Sequence, residues 1–118
     1  MARYVDGFVF PVPRDRLREY TRVAQAAAEI WKEHGALDYR EHVGDDLERE
    51  GTRSFVDVVP AGADEVIVFG WVEFDSREAR DRANAKVAAD PRMAELMDSS
   101  DSGFDAGRMA YGGFAALL

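Results

Sequence analysis

An α+β fold of β-α-β-β-α-β order, a four-stranded antiparallel sheet with two helices over one face, is predicted by three features of the chain. Hydrophobic residues alternate in some segments and recur every three to four residues in others, the periods of strand and helix. Prolines and glycines fall where one period gives way to the next. The run Val66 to Phe74 is the most apolar in the chain and reads as a strand. This order is the split βαβ, or ferredoxin-like, arrangement, and 118 residues place it in a single domain, 1–118.

Strand one runs from Tyr4 to Val12, rich in β-branched and aromatic residues and closed by Pro11 and Pro13, which cannot donate ladder hydrogen bonds. From Arg14 the period changes: Leu17, Tyr20, Ala24, Ala27, Trp31 and His34 share one face of a helix that Gly35 ends. Leu37 to Val43 alternates apolar Leu37, Tyr39 and Val43 with polar Asp38, Arg40 and His42, so it is strand two. Residues 44–51 form an acidic loop. Thr52 to Val59 reads as a strand extension or a short extra strand before the turn at Pro60, Gly62 and Asp64. After strand three, Asp75 and Glu78 have capping-box spacing and start the second helix, with Ala79, Ala83 and Val87 on its inner face. Asp90-Pro91 permits a further short helix holding Met93, Leu96 and Met97. Residues 98–107 read as a mobile loop rich in Ser, Asp and Gly, and Arg108 to Leu118 as strand four.

Composition narrows the chemistry. Without cysteine the chain has no thiolate nucleophile, disulfide, iron–sulfur cluster or cysteine-bound zinc. A formal charge of -8 disfavours nucleic acid, whose phosphates are bound by clustered Lys and Arg. No apolar run approaches the ~20 residues that cross a bilayer, and the start of the chain does not read as a signal peptide. The expectation is a cytoplasmic protein with no membrane or nucleic-acid partner. No phosphate-binding loop or metal-ligand spacing is present, so no cofactor or metal is expected.

Strands one and three are apolar on both faces: Val66, Val68, Gly70, Val72 and Phe74 on one side, Ile67, Phe69 and Trp71 on the other. Two helices cover only one face, and leaving a large aromatic in water forgoes ~2 to 3 kcal/mol. A second copy of the chain packed sheet to sheet is the expected cover, since twofold homodimers are the commonest assemblies. The smaller residues are expected to meet the helices, with the pairing surface bearing Phe8, Phe69 and Trp71.

Charges that interrupt apolar faces mark the candidate site, because a buried charge is costly unless paired or used. Asp6 is the sharpest. With His42 and Arg108 it is expected to converge on a pocket lined by Phe8, Phe69 and Trp71, suited to a small, partly aromatic molecule. The plainer reading pairs Asp6 with Arg108 across strands or across the dimer, and leaves His42 solvated. His34, at a helix C-terminus, favours the helix dipole and packs below Trp31. Tyr111-Gly112-Gly113-Phe114 is similar to the aromatic–glycine motif of RNA-binding sheets, but its position and the acidic charge favour a bulge or a close backbone approach.

Several ordered segments, Tyr4-Val5-Asp6-Gly7-Phe8-Val9, Trp31-Lys32-Glu33-His34-Gly35-Ala36-Leu37-Asp38-Tyr39, Asp90-Pro91-Arg92-Met93 and Tyr111-Gly112-Gly113-Phe114, resemble the DUF1428 family over nearly the whole chain. The resemblance implies the dimeric α/β-barrel superfamily, in which two ferredoxin-like chains join their sheets, and a family whose biochemical role is uncharacterised. No catalytic residue follows from it. The expected function is a homodimer with a small-molecule cleft between sheet and helices, a binding protein or cofactor-free enzyme. The alternative is a non-catalytic assembly or regulatory module. The sequence does not decide whether a reaction is catalysed.

Overall fold

A computed structural model describes residues 3–99 and 101–118. Its strands are β1 (Tyr4–Pro13), β2 (Asp38–Val43), β3 (Glu65–Phe74) and β4 (Ala110–Ala115), and its helices α1 (Leu17–Glu33), α2 (Phe55–Val58), α3 (Arg77–Ala89) and α4 (Pro91–Ser99). The sheet order is β2-β3-β1-β4, with every neighbouring pair antiparallel. Principal extents of 39 × 38 × 20 Å are those of one sheet and one helix layer.

Cross-strand register decides which side chains meet the helices. Phe8 lies opposite Gly70 and Phe10 opposite Val68, so Asp6, Phe8, Phe10 and Val12 share a face with the valines of β3 and with Phe74. That face forms the main core with Tyr20, Ala36 and Ala83. The expected division by size therefore holds for β3 and reverses for β1, whose small residues Val5, Gly7 and Val9 point to the open side. Gly70 makes this possible: a Cβ there would stand 2.7 Å from the Phe8 ring and 2.5 Å from the Arg40 carbonyl.

Four boundaries differ from the sequence reading, each for a local reason. Residues 55–58 form a helical turn, not a strand. Ser54 Oγ caps it by accepting from the Val56 amide, and the turn lets Val56 and Val59 pack on Val9 and Ile67. The helix after β3 is capped by Ser76, whose Oγ accepts from Ala79 N at 3.0 Å, and not by Asp75. The stretch read as a mobile loop is fastened to the core by Phe104, which meets Phe10 edge-on at 5.0 Å, while Asp101 pairs with Arg16. Within that stretch Ser100 lies outside the described residues. Arg108 belongs to a 3-10 turn, Ala106–Arg108, so β4 starts later than expected. Gly35 does take a left-handed conformation, φ 119°, at the end of α1. The glycine pair of β4 sits in regular register, and Gly113 marks a close approach: a Cβ there would lie 2.2 Å from the Tyr4 hydroxyl.

The open face of the sheet is only partly covered. Residues from the 44–61 segment close over Val9 and Ile67. Phe69, Trp71, Val5, Gly7, Gly112 and Phe114 remain as an apolar surface, with Phe114 63% exposed.

A candidate binding cleft between the helices and the sheet

Between the helix layer and the inner face of the sheet lies a cavity of about 220 Å³. Phe8, Phe10, Tyr39 and Val72 form its floor, Val23, Ala27 and Trp31 of α1 one wall, and Met93, Met97 and Phe104 another. The alternation of β1 and β2 delivers the floor, and the three-to-four spacing of α1 delivers its wall. Methionines on the α4 side give a pliable contact surface.

Two polar centres border this apolar space. At the first, Asp6, 1% exposed, accepts from Arg80 Nη1 at 2.9 Å and from the Tyr111 hydroxyl at 2.5 Å. Arg80 also lies over the Tyr4 ring, 4.9 Å from its centroid. A carboxylate this buried is tolerable only because a cation and a hydroxyl satisfy it. Burial, then the Asp6 carboxylate, push the Tyr111 phenol above its ordinary range.

At the second centre, Glu41 of β2 accepts from the hydroxyls of Tyr20 and Tyr39, the latter at 2.8 Å. Tyr20, Ala24 and Tyr39 are shared between the cavity and a second recess of about 340 Å³, which Glu41 lines under the β2 edge. Burial raises the Glu41 carboxyl above the usual carboxylate range, opposed by the tyrosine hydrogen bonds. Burial likewise raises both phenols, with Glu41 adding to the effect.

A consequence for stability follows with a definite sign. Below the ordinary Glu range both folded and unfolded states hold the proton, and burial of Glu41 carries no charge penalty. As pH rises through its raised folded value, the folded state alone bears a desolvated charge, so this contribution to stability is lost. Glu65, held down to about 2 chiefly by Arg108, and Asp90, held low by Arg92 and His34, act in the opposite sense. The difference between wild type and Glu41→Gln isolates the term. Urea midpoints from about pH 4 to pH 8 are expected to show the wild type losing ground to Glu41→Gln as pH rises. Parallel curves would contradict the burial assigned to Glu41.

The six residues singled out from sequence do not form one pocket. Asp6 and Phe8 line the inner cavity. Phe69 and Trp71 lie on the opposite face of the sheet, and His42 stacks there on Trp71 at 5.2 Å, although it also borders the outer recess. Arg108 lies outside both, bonded to Glu65 at 2.6 and 2.8 Å and to the Pro60 carbonyl. Asp6 therefore pairs with Arg80 and not with Arg108. His34 bonds Asp90 at 2.7 Å, tying the end of α1 to the α3–α4 junction. Glu41, Arg80 and Tyr111 are the polar residues that sequence reasoning missed. Glu41 left a signal, a carboxylate at the parity of apolar Leu37, Tyr39 and Val43.

This two-layer architecture with its half-open cleft can be set beside known proteins. The family described as "Protein of unknown function (DUF1428)" matches residues 3–106. The chain belongs to the DUF1428 family. Within reach of it is the uncharacterized protein YbaA of Escherichia coli K12, 42% identical over 116 residues, spanning 98% of this chain and 97% of YbaA. Solved structures resemble it in fold. A dimeric ferredoxin-like protein from an uncultured marine organism superposes with a TM-score of 0.55 at 7% identity, covering all of this chain and 90% of that one. The ActVA-Orf6 monooxygenase of Streptomyces coelicolor, solved with the ligand nanaomycin D, gives 0.56 at 20% identity over 99% and 92%. The fold expected from sequence, an α+β ferredoxin-like sheet with its two long helices on one side, is that of this family member, and the α2 turn lies on the other. Among the described residues no helix is long and apolar enough to cross a membrane.

Proposed function

We propose that this DUF1428 protein is a homodimer that binds a small, mostly apolar molecule in the cleft between its helices and sheet. The observation that carries the reading is the cavity itself, with aromatic and methionine walls and a buried Asp6 at its border. Concave, mostly apolar space with a few placed polar groups is the general form of a small-molecule site. The same fold is used around a ligand in the Streptomyces coelicolor monooxygenase. Glu41, the carboxylate that borders the outer recess, can accept a proton from a bound donor, which favours a cofactor-free enzymatic use of the same space. The assembly-module alternative draws support from Asp6, whose partners Arg80 and Tyr111 lie in its own chain and account for its charge without any ligand.

The test is a thermal-shift screen with neutral aromatic compounds, repeated on Ala24→Phe, which places a ring in the wall common to both recesses. A ligand at 100 times its Kd is expected to stabilise the wild type by about 2.7 kcal/mol. Ala24→Phe is expected to lose that response while its unliganded melting temperature stays close to wild type. Ligands that stabilise both proteins equally would place binding elsewhere, and a screen with no stabilising compound would favour the assembly module.

A further inference from the structure

The hydroxyl groups around the cleft share one property that bears on what can bind there. A hydroxyl has a single proton to donate and lone pairs with which to accept. The Tyr20 and Tyr39 protons go to Glu41, the Tyr111 proton to Asp6, and in the outer recess the Thr21 proton goes to the Leu17 carbonyl at 2.7 Å. Each of these oxygens is left only as an acceptor. The two carboxylates are acceptors as well while ionised. Among the described residues the Trp31 indole N–H is the inner cavity's side-chain donor without a protein acceptor, against three phenol oxygens and one carboxylate, while Gln25 and His42 in the outer recess can also donate.

From this accounting we infer that the cleft selects neutral, planar aromatic molecules that carry free hydroxyl groups. The inference rests on the binding role proposed above and names the ligand class for that site. A phenolic O–H meets oxygens that can only accept. A carbonyl or ether of the same shape presents oxygen to oxygen and gains no bond from them. Among the described residues no Lys, Arg or His lines the inner cavity, so a carboxylate ligand finds no cation there, and Asp6 repels it. Flat aromatic faces on the floor, from Phe8 and Phe10, and on one wall, from Trp31, suit a ring system, since aromatic faces pair by stacking or edge contact.

The placement of the two centres adds a constraint of shape. Tyr111 lies on β4 and Tyr39 on β2, the opposite edges of the sheet. Three strand spacings of roughly 4.8 Å separate those backbones, and both side chains rise from the same face. A molecule whose ring system is long enough to span that separation, with a hydroxyl at each end, can engage both acceptor centres, and a shorter one or one with a single hydroxyl engages one.

The inference is tested by titrating the protein, by calorimetry, with dihydroxynaphthalene, dimethoxynaphthalene and naphthoate. The diol is expected to bind about tenfold more tightly than its dimethyl ether, the factor corresponding to one unmade hydrogen bond, and naphthoate not to bind measurably. In Glu41→Gln the new amide donates to one tyrosine oxygen and frees that tyrosine's proton for the cleft, so the preference for the diol is expected to narrow several-fold. Equal binding of diol and ether, tighter binding of naphthoate, or an unchanged preference in Glu41→Gln would each overturn the inference while leaving a binding cleft in place. Failure of all three probes would overturn the inference and the proposed cleft together.

Discussion

Replacing Arg80 by leucine is expected to lower stability by about 3–5 kcal/mol, the usual cost of removing one partner from a buried ion pair. The side chain of Asp6 is 1% exposed and that of Arg80 14%, so the pair is largely shielded from water. Tyr111 alone would then hold the carboxylate, from one oxygen. Leucine in place of both residues is expected to recover most of the loss, since an apolar pair of similar volume is often neutral or stabilising at such a site. The measurement is the urea midpoint of the single and double variants at fixed pH. A loss below about 1 kcal/mol for Arg80→Leu, against the range above, or a double variant as unstable as the single, would mean that Asp6 is not held as a charged group by Arg80.

This pair also shows where the sequence stopped being readable. Asp6 is conspicuous because it interrupts an apolar strand, but its partner lies 74 positions away on α3. Nothing on α3 distinguishes Arg80 from its exposed neighbours Arg77 and Arg82 until the helix is laid on the sheet. The element order and the central strand could be read because period and punctuation are local properties. The face assignment could not. With both faces of β1 and β3 apolar, either parity of pairing satisfies the pattern, and a one-residue slip exchanges every side chain between faces. Phe8 opposite Gly70 fixes the parity, through a space that only glycine leaves open. That single pairing separates Phe8 from Phe69 and Trp71 and divides the expected pocket into an inner cavity and an outer surface. Glu41 could have been found, because a carboxylate at an inward parity is as anomalous as Asp6. It was hidden by a short strand whose flanking residues, Arg40 and His42, are also polar.

The outer surface carries the second large effect. Gly7 and Gly112 face one another across β1 and β4, and the Phe114 ring lies over them, 3.4 and 3.7 Å from where their Cβ atoms would stand. Phe69 meets Trp71 edge-on at 6.1 Å, and Trp71 stacks on His42. The result is a broad apolar surface. Each large aromatic on it gains ~2 to 3 kcal/mol when covered, and a twofold axis makes every residue count twice, because the same patch faces itself. Charges placed there are multiplied in the same way: Phe69→Glu with Trp71→Glu brings four carboxylates into one apolar contact. The wild type is expected to sediment with the mass of two chains at tens of micromolar and the double variant with the mass of one. Neither residue lines the inner cavity, so the helix content of the variant is expected to match wild type by circular dichroism. A wild type that sediments as a single chain, or a double variant that keeps the mass of two, would assign the uncovered face of the sheet to something other than a second copy.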